Sequence, residues 1–503
     1  MTGREQKQKI QAGEAAFSAA SPAKKGREGL SRGVLKVMAL FSGLQCFNIL
    51  CSIVKMKLVA LWLHSAGVGL FGIFNTTVDT LATVTDMGLR QSAVRDVAAN
   101  HPANQSGGCH LQKVVGVVRW WTRFSGLLGA VVMSGLSFPL SLWFFSDTSH
   151  WWMFLILSVA MLCNALVGGE QAILQGTRNL KALARSSLVA SVAGLAVSVP
   201  MFRWMGDVSV PLSIVAYGIA GTGAMAYFRF KSPKPGKITA RETWTMGKEF
   251  VSMGVYMALG AFATNIGQLF FLAWLGRNSS LGEVGLYQSG TTIIVRYVGL
   301  IFTAVAMEFY PRLAAYGYSR MRTSVFVRHE MTLLTLVLVP VVLVFLLLRQ
   351  WVVVILYSEA FLEIIPFISF GVLSCLFRAS SWCMAFVTVS RGDGRIYILT
   401  EVVDSVIGVT LAMAGWTLAG FVGLGIAFIA WYFCYTVISG IIYRFRFHFR
   451  LPWRQLGLNI GCFLLCLAAL LSVDNMPAAF NVTLLPVVAA LFVYAVVRYW
   501  KRS

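Results

Sequence analysis

The chain has 503 residues, 57% hydrophobic and only 12% charged, and its mean hydropathy of +0.72 is more apolar than one aqueous core can bury. A net charge of +22, from 42 basic and 20 acidic residues, would suggest nucleic acid as the partner of a soluble protein, but here the bases fall on alternate segments between apolar runs, which excludes that reading. Nine cysteines are scattered, mostly inside apolar runs and without paired CxxC spacing, which excludes a disulfide framework and a metal site.

Met1 to Gly33 is polar and rich in Lys, Ala, Ser and Gly, the composition of a disordered tail. Apolar runs of about 20 to 28 residues then begin near Val34, Val68, Val114, Trp151, Leu183, Val208, Glu249, Val284, Met331, Phe361, Ile396, Leu418, Leu456 and Val482. About 20 apolar residues in a helix cross roughly 30 Å of hydrocarbon, and a helix satisfies its own backbone there. The run from Val34 is too long for a cleaved signal peptide and is expected to stay as the first span. The expected fold is therefore all-α and integral to the membrane, with about fourteen transmembrane helices.

Counted over tail, connections and C-terminus, about 35 of the 42 basic residues fall on one side, which places both termini in the cytoplasm. Examples are Arg90 and Arg95, Arg178 with Lys181 and Arg185, Lys231 with Lys234 and Lys237, and Arg444 with Arg446 and Arg450. Tryptophans at expected span ends, such as Trp62, Trp151, Trp204, Trp274, Trp416 and Trp453, suit the membrane interface.

An internal repeat organises the spans. Val68-Gly69-Leu70-Phe71 opens the second and Val284-Gly285-Leu286-Tyr287 the eighth, each followed by a threonine pair, Thr76-Thr77 and Thr291-Thr292. Six spans separate the copies and both enter from the same side. Two parallel six-helix lobes around a central cavity follow, related by an axis along the membrane normal, with two C-terminal helices outside the repeat. The divisions are residues 1–33 (tail), 34–228 (first lobe), 229–248 (cytoplasmic inter-lobe loop), 249–443 (second lobe) and 444–503 (last two helices and a short tail).

Ionisable groups inside spans cost about 2.5–3.5 kcal/mol each on insertion scales, so they face a cavity or a partner. On the second span Asn75, Asp79, Thr83, Asp86 and Arg90 share one stripe at 3.6 residues per turn, and Gln288, Thr292, Arg296, Gly299 and Thr303 repeat that spacing on the eighth. The two stripes are expected to face each other across the cavity. On the first span Gln45, Asn48, Ser52 and Lys55 share a face, with Lys57 nearly opposite. Arg378 lies mid-way along the tenth span. Lys57 and Arg349 are near enough to an interface to snorkel, and Arg90 and Glu401 sit at boundaries.

The deep bases are thus Lys55, Arg296 and Arg378, and the deep acids Asp79, Asp86, Glu170, Glu401 and Asp404. Asp79, Asp86, Glu170 and Asp404 are candidates for ion coupling or for ion pairs with those bases. Fixed cations select an anion, and arginine binds phosphate oxygens in bidentate fashion. The amides and hydroxyls of Gln45, Asn48, Asn75, Gln288 and Thr292 suit sugar hydroxyls. The connections leave no room for an aqueous catalytic domain, and HExxH, GxSxG and GxxxxGK[ST] are absent, so no enzyme is expected.

Several local sequences carry a family resemblance: Leu58-Val59-Ala60-Leu61-Trp62 leading into Val68-Gly69-Leu70-Phe71-Gly72, Gly88-Leu89-Arg90-Gln91, and Phe309-Tyr310-Pro311-Arg312-Leu313. With the lobe pattern, they resemble the polysaccharide-transport flippases of the multidrug/oligosaccharidyl-lipid/polysaccharide (MOP) superfamily, most closely the Wzx-type O-antigen translocases. The resemblance implies a cargo of undecaprenyl-diphosphate-linked oligosaccharide, moved from the cytoplasmic to the periplasmic leaflet of the bacterial inner membrane by alternating access. It implies no cofactor, H+ or Na+ as a coupling ion, and a polysaccharide polymerase and chain-length machinery as partners, with no nucleic acid. A lipid II flippase and a multidrug or cation antiporter of the same superfamily stand as alternatives. A membrane glycosyl polymerase or transferase would need a long loop bearing acids and arginines.

Overall fold

The computed structural model describes residues 43–44, 46–86, 88–100, 108–229, 240–315, 320–391, 393–449 and 453–473, and every regular element among them is helical. The expected N-terminal tail, Gln45, the basic cluster of Lys231, Lys234 and Lys237, and the fourteenth span near Val482 lie outside the described residues.

Helix α1 covers residues 46–62, and α2, His64–Asp86, follows at once. Gly88 then turns the chain with a φ of 71° into a short helix, Leu89–Ala99. Next come α3 (Gly108–Phe145), α4 (Trp151–Gly176), α5 (Leu180–Trp204), α6 (Ser209–Phe228) and α7 (Ala240–Asn278). Helix α8 is composite, running through Leu281–Thr291, the π-helical turn Thr292–Tyr297 and Gly299–Ala315. It is followed by α9 (Arg320–Leu356) and α10 (Ile365–Ser390). Gly394–Phe445 is continuous only by hydrogen bonding: Ala419 and Gly420, the latter at φ 55° and ψ −130°, reverse the chain into two limbs, α11 and α12. Only glycine takes up the second of those conformations without strain. Helix α13, Trp453–Val473, closes the described chain.

Several helices overrun their apolar runs. At 38, 39 and 37 residues, α3, α7 and α9 are far longer than the roughly 20 residues that span hydrocarbon, so they project beyond it. Helix α7 accordingly starts at Ala240, ahead of the expected Glu249. Nine helices of the described residues are long and apolar enough to cross a membrane. Helix α2 is not among them, because Asn75, Asp79 and its threonines lower its hydropathy.

The first lobe packs α3 on α4, α5 on α6 and α4 on α6; the second packs α10 and α7 each on the α11–α12 hairpin, and α9 on α10. They meet chiefly where α2 lies against α8, with α7 touching α2 and α3. At that seam the two copies of the sequence repeat touch each other. A Cβ on Gly69 would collide with the Leu281 carbonyl and come within 3.1 Å of the Gly285 nitrogen, and one on Gly285 would collide with the Ser65 carbonyl and reach the Gly69 nitrogen at 2.8 Å. Repeat-related glycines thus let two backbones approach as closely as helices can. Both lie near the first turns of parallel helices, so the seam closes one end of the lobe interface. Arg277, at the end of α7, ties the same end by donating to the carbonyls of Trp143 at 2.7 Å and Leu142 at 2.8 Å.

Helix α13 is fastened to the second lobe by a buried polar chain. The Thr332 hydroxyl donates to Gln455 at 2.7 Å, Thr335 donates to Asn459 at 3.1 Å, and the Asn459 amide donates to Ser380. Such bonds fix the register of helices that lipid alone would not hold together.

A side chain at Gly285 has no space while the seam is closed. Gly285→Leu is therefore expected to hold this end apart. In a cysteine-free background, cross-linking of Ser65→Cys with Gly282→Cys should be efficient with Gly285 present and fall severalfold in the Leu variant; equal yields would show that the glycine contact does not close the interface.

Candidate functional site

Between the lobes lies a cavity of about 1300 Å³, walled by α1 and α2 on one side and by α7, α8, α10, α11 and α12 on the other. Its polar side chains come from spans whose helical phase turns one face inward, as the stripes of α1, α2 and α8 predict.

On α1, Ser52 and Lys55 reach the cavity. The Lys55 ammonium sits 4.4 Å from the centroid of Phe71 and 5.1 Å from that of Tyr217, so aromatic faces surround it in place of a carboxylate. Asn48, one turn or so earlier, is not on the wall: it accepts the Ser191 hydroxyl at 2.8 Å, and Ser191 also meets the Tyr217 hydroxyl at 3.0 Å. Lys57, as its phase predicts, points elsewhere and donates to the Val354 carbonyl.

The stripe on α2 divides in two. Asn75 and Asp79 line the cavity, with the Asn75 amide donating to the Phe71 carbonyl at 2.7 Å. Farther along, Thr83 accepts from Asn265 of α7 at 3.1 Å, Asp86 accepts from Ser125 of α3, and Arg90 donates to Gln171 at 2.6 Å. These three hold helices together and do not line the cavity.

Helix α8 starts from a capping box in which Ser280 accepts from the Glu283 N–H at 3.2 Å and Glu283 accepts from the Ser280 N–H at 2.9 Å. Gln288 and Thr292 follow on the cavity side. Gln288 is only 9% exposed and its amide nitrogen has no hydrogen-bond partner. At Thr292 the helix widens into a π turn, a form that recurs at functional sites, and Arg296 stands on it, exposed to the cavity. The altered pitch ends the stripe predicted for a regular helix: Gly299 and Thr303 leave the wall, Thr303 bonding back to the Leu300 carbonyl, and Ala306 lines it instead.

Across the cavity, the Arg378 guanidinium on α10 lies 5.0 Å from the centroid of Phe302 and 5.6 Å from that of Tyr432, and one of its terminal nitrogens is buried without a partner. Helix α11 contributes Glu401, which accepts from Thr264 at 3.0 Å, and Asp404, which accepts from the Trp431 indole at 2.8 Å. Glu401, expected at a span boundary, thus belongs to the cavity wall. Arg349, expected to snorkel, is instead 8% exposed and donates to Ser369 at 3.0 Å.

Among the described residues no carboxylate lies within ion-pair distance of Lys55, Arg296 or Arg378. Glu170 shows the contrast. It receives Arg119 in bidentate fashion, at 2.7 and 3.0 Å, with Arg229 3.8 Å away, and none of the three lines the cavity. Arg119 was not singled out from sequence because the start of its span reads as a boundary. Thr264, Asn265 and Gln268 of α7 were also missed, although Thr264 and Gln268 are one helical turn apart. The aromatic side chains of α12 carry no sequence signal separating wall from core.

A family model described as polysaccharide biosynthesis protein matches residues 34–316, more than half of the chain. The chain belongs to the polysaccharide biosynthesis protein family. No curated protein matches it significantly. Its fold resembles solved transporters. A multidrug resistance MATE family transporter of the MOP superfamily, in an inward-facing conformation, aligns with a TM-score of 0.64 at 16% identity over 80% of this chain and 94% of its own. The lipid II flippase MurJ, in an inward closed conformation, aligns with a TM-score of 0.68 at 12% identity over 92% and 99%. A MOP superfamily transporter from Pyrococcus furiosus aligns with a TM-score of 0.60 at 14% identity over 82% and 96%. This member of the polysaccharide biosynthesis protein family is therefore a multi-pass membrane protein with the MOP transporter fold.

Within that fold the Arg119–Glu170 pair is a structural fastener. Removing one partner strands the other, a cost of about 3–5 kcal/mol for a buried pair. Glu170→Ala is expected to lower the unfolding temperature of the detergent-solubilised protein by several degrees or more, measured by thermal denaturation with size-exclusion readout, while Arg119→Met/Glu170→Met recovers much of the loss. A Glu170→Ala variant as stable as the parent would assign the pair no structural role.

Proposed function

We propose that this chain is a flippase that carries an undecaprenyl-diphosphate-linked oligosaccharide, an O-antigen or exopolysaccharide repeat unit, from the cytoplasmic to the periplasmic leaflet of the bacterial inner membrane by alternating access. The observation that carries this reading is that Lys55, Arg296 and Arg378, three of the basic residues lining one cavity, have no carboxylate at ion-pair distance among the described residues. Charge held in an apolar interior is costly unless it is paired, and here the pairing partner is the cargo. A diphosphate supplies the missing anion and an acceptor for the unpaired nitrogen of Arg378.

Lys55, Arg296 and Arg378 grip the diphosphate, while Ser52, Asn75, Gln288 and Thr292 bond to sugar hydroxyls. Asn48 supports α1 through Ser191. Coupling to H+ or Na+ falls to Asp79, which lines the cavity, whereas Asp86 and Glu170 lie off its wall and are engaged by Ser125 and Arg119. With both termini cytoplasmic, the glycine seam closes the periplasmic end and the cargo loads from the cytoplasm. Expelling a headgroup of charge near −2 from a negative interior is favoured by roughly 4–5 kcal/mol per 100 mV. Polymerase and chain-length machinery would receive the product.

A lipid II flippase is the second reading, since the lipid II flippase MurJ aligns over 92% of this chain. Reconstituted proteoliposomes carrying lipid-linked glycans distinguish the readings. Arg296→Ala, Lys55→Ala and Arg378→Ala should each slow translocation about tenfold or more, the effect of losing one charge-assisted hydrogen bond of roughly 1.5–3 kcal/mol, without loss of protein from the membrane. Asn48→Ala should act less. A wild-type protein that moves lipid II but no O-antigen precursor would favour the second reading, and one that moves no lipid-linked glycan yet exports a cationic drug would refute both.

A further inference from the structure

The cavity is chemically two-sided. Lys55, Arg296 and Arg378 stand on α1, α8 and α10, while Glu401 and Asp404 stand together on α11 beside the rings of α12. The two sides are bridged by aromatic faces. Arg378 lies over Tyr432; Tyr432 stacks on Trp431 with centroids 4.9 Å apart and planes 18° from parallel; Trp431 donates its indole N–H to Asp404. Phe428 braces Trp431 edge-on at 5.4 Å. One oxygen of Asp404 is engaged by Trp431 and one of Glu401 by Thr264, which leaves the second oxygen of each carboxylate without a bond to the described residues.

We propose that this α11–α12 wall is a sugar-recognition platform that binds an uncharged, hydroxyl-rich sugar ring adjoining the diphosphate and rejects a uronic acid at that position. The proposal rests on the cations being the diphosphate site. A pyranose presents C–H groups on its flat face and hydroxyl donors at its rim. The parts of Trp431 and Tyr432 that line the cavity offer a rigid apolar surface of that kind, and carboxylate oxygens are acceptors only, suited to hydroxyl donors. Continuity matters as much as composition, because the ring face begins at Arg378 and ends at Asp404. A headgroup with phosphate on the guanidinium thereby lays its first sugar along the rings. Unpaired donors in the same cavity, the buried Gln288 amide and the Arg378 nitrogen, independently point to an oxygen-rich ligand. A sugar carboxylate would instead meet two carboxylates in a low-dielectric space, where like charges repel strongly.

The test uses the full-length protein in nanodiscs and three probes: farnesyl diphosphate, farnesyl diphosphate glucose and farnesyl diphosphate glucuronic acid. The glucosyl probe should bind about tenfold or more tighter than the bare diphosphate, and the glucuronyl probe no tighter than the bare one. In Trp431→Phe, Asp404→Asn and Glu401→Gln the ratio of glucosyl to bare affinity should fall toward one. Arginine-dependent binding of the bare probe with no gain from glucose, or an equal gain from glucuronic acid, would overturn the wall assignment alone. Binding of the bare probe that is absent, or unchanged in Arg296→Ala and Arg378→Ala, would overturn the diphosphate site and the wall with it.

Discussion

Positive charge with no carboxylate at ion-pair distance among the described residues, held in a mostly apolar chamber that Asp79, Glu401 and Asp404 also line, is the condition that the rest of the structure serves. The chain can neutralise an arginine when only packing is at stake, as the bidentate Arg119–Glu170 contact shows. In the cavity it does something else. Lys55 is set among Phe71 and Tyr217, and Arg378 among Phe302 and Tyr432. Ring faces contribute about 0.5–2 kcal/mol each, short of the several kcal/mol that desolvating an ion costs. The remainder must come from water or from an anion that occupies the space, and the proposed cargo is an anion of that kind.

Backbone devices, more than side-chain packing, place those charges. The Ser280–Glu283 box fixes where α8 begins, and the glycine contact with α2 fixes its depth and rotation over the first turns. The π turn then re-aims the helix at Arg296. On the far side, Gly420 lets α12 fold directly back on α11, which brings Trp431 to Asp404 and Tyr432 to Arg378.

Helical periodicity made much of this legible in the sequence. Span positions, the stripes on α2 and α8, the inward face of Lys55 against the outward one of Lys57, and the four-residue repeat all follow from 3.6 residues per turn, and the repeat's glycines prove to be each other's neighbours. What periodicity leaves out is which neighbour a polar face meets. Thr83 and Asp86 share the phase of Asp79 yet lie where α2 passes α7 and α3, and Arg90, beyond the turn at Gly88, lies against α4, so all three bond to helices instead of facing the cavity. Asn48 was lost to Ser191 in the same way. Beyond Arg296 the rule itself breaks, since a π turn changes the residues per turn and moves Gly299 and Thr303 off the wall. Glu401 read as a boundary residue because sequence distance to the nearest basic loop is short, whereas the cavity reaches that level of α11.

The seam and the binding chamber are made from the same two helices, and that links gating to affinity. Gly69 and Gly285 touch at one end, Gly72 and Gln288 meet next, and Asn75, Asp79, Thr292 and Arg296 line the cavity immediately beyond. Helices transmit displacement along their length, so parting the glycines must carry Asp79 and Asn75 away from Gln288 and Arg296. Under the alternating access proposed above, the motion that opens the far exit would also pull apart the donors assigned to the headgroup, with Lys55 leaving on one lobe and Arg296 and Arg378 on the other. A site built within either lobe alone would keep its grip through that motion; one divided between lobes releases as it opens.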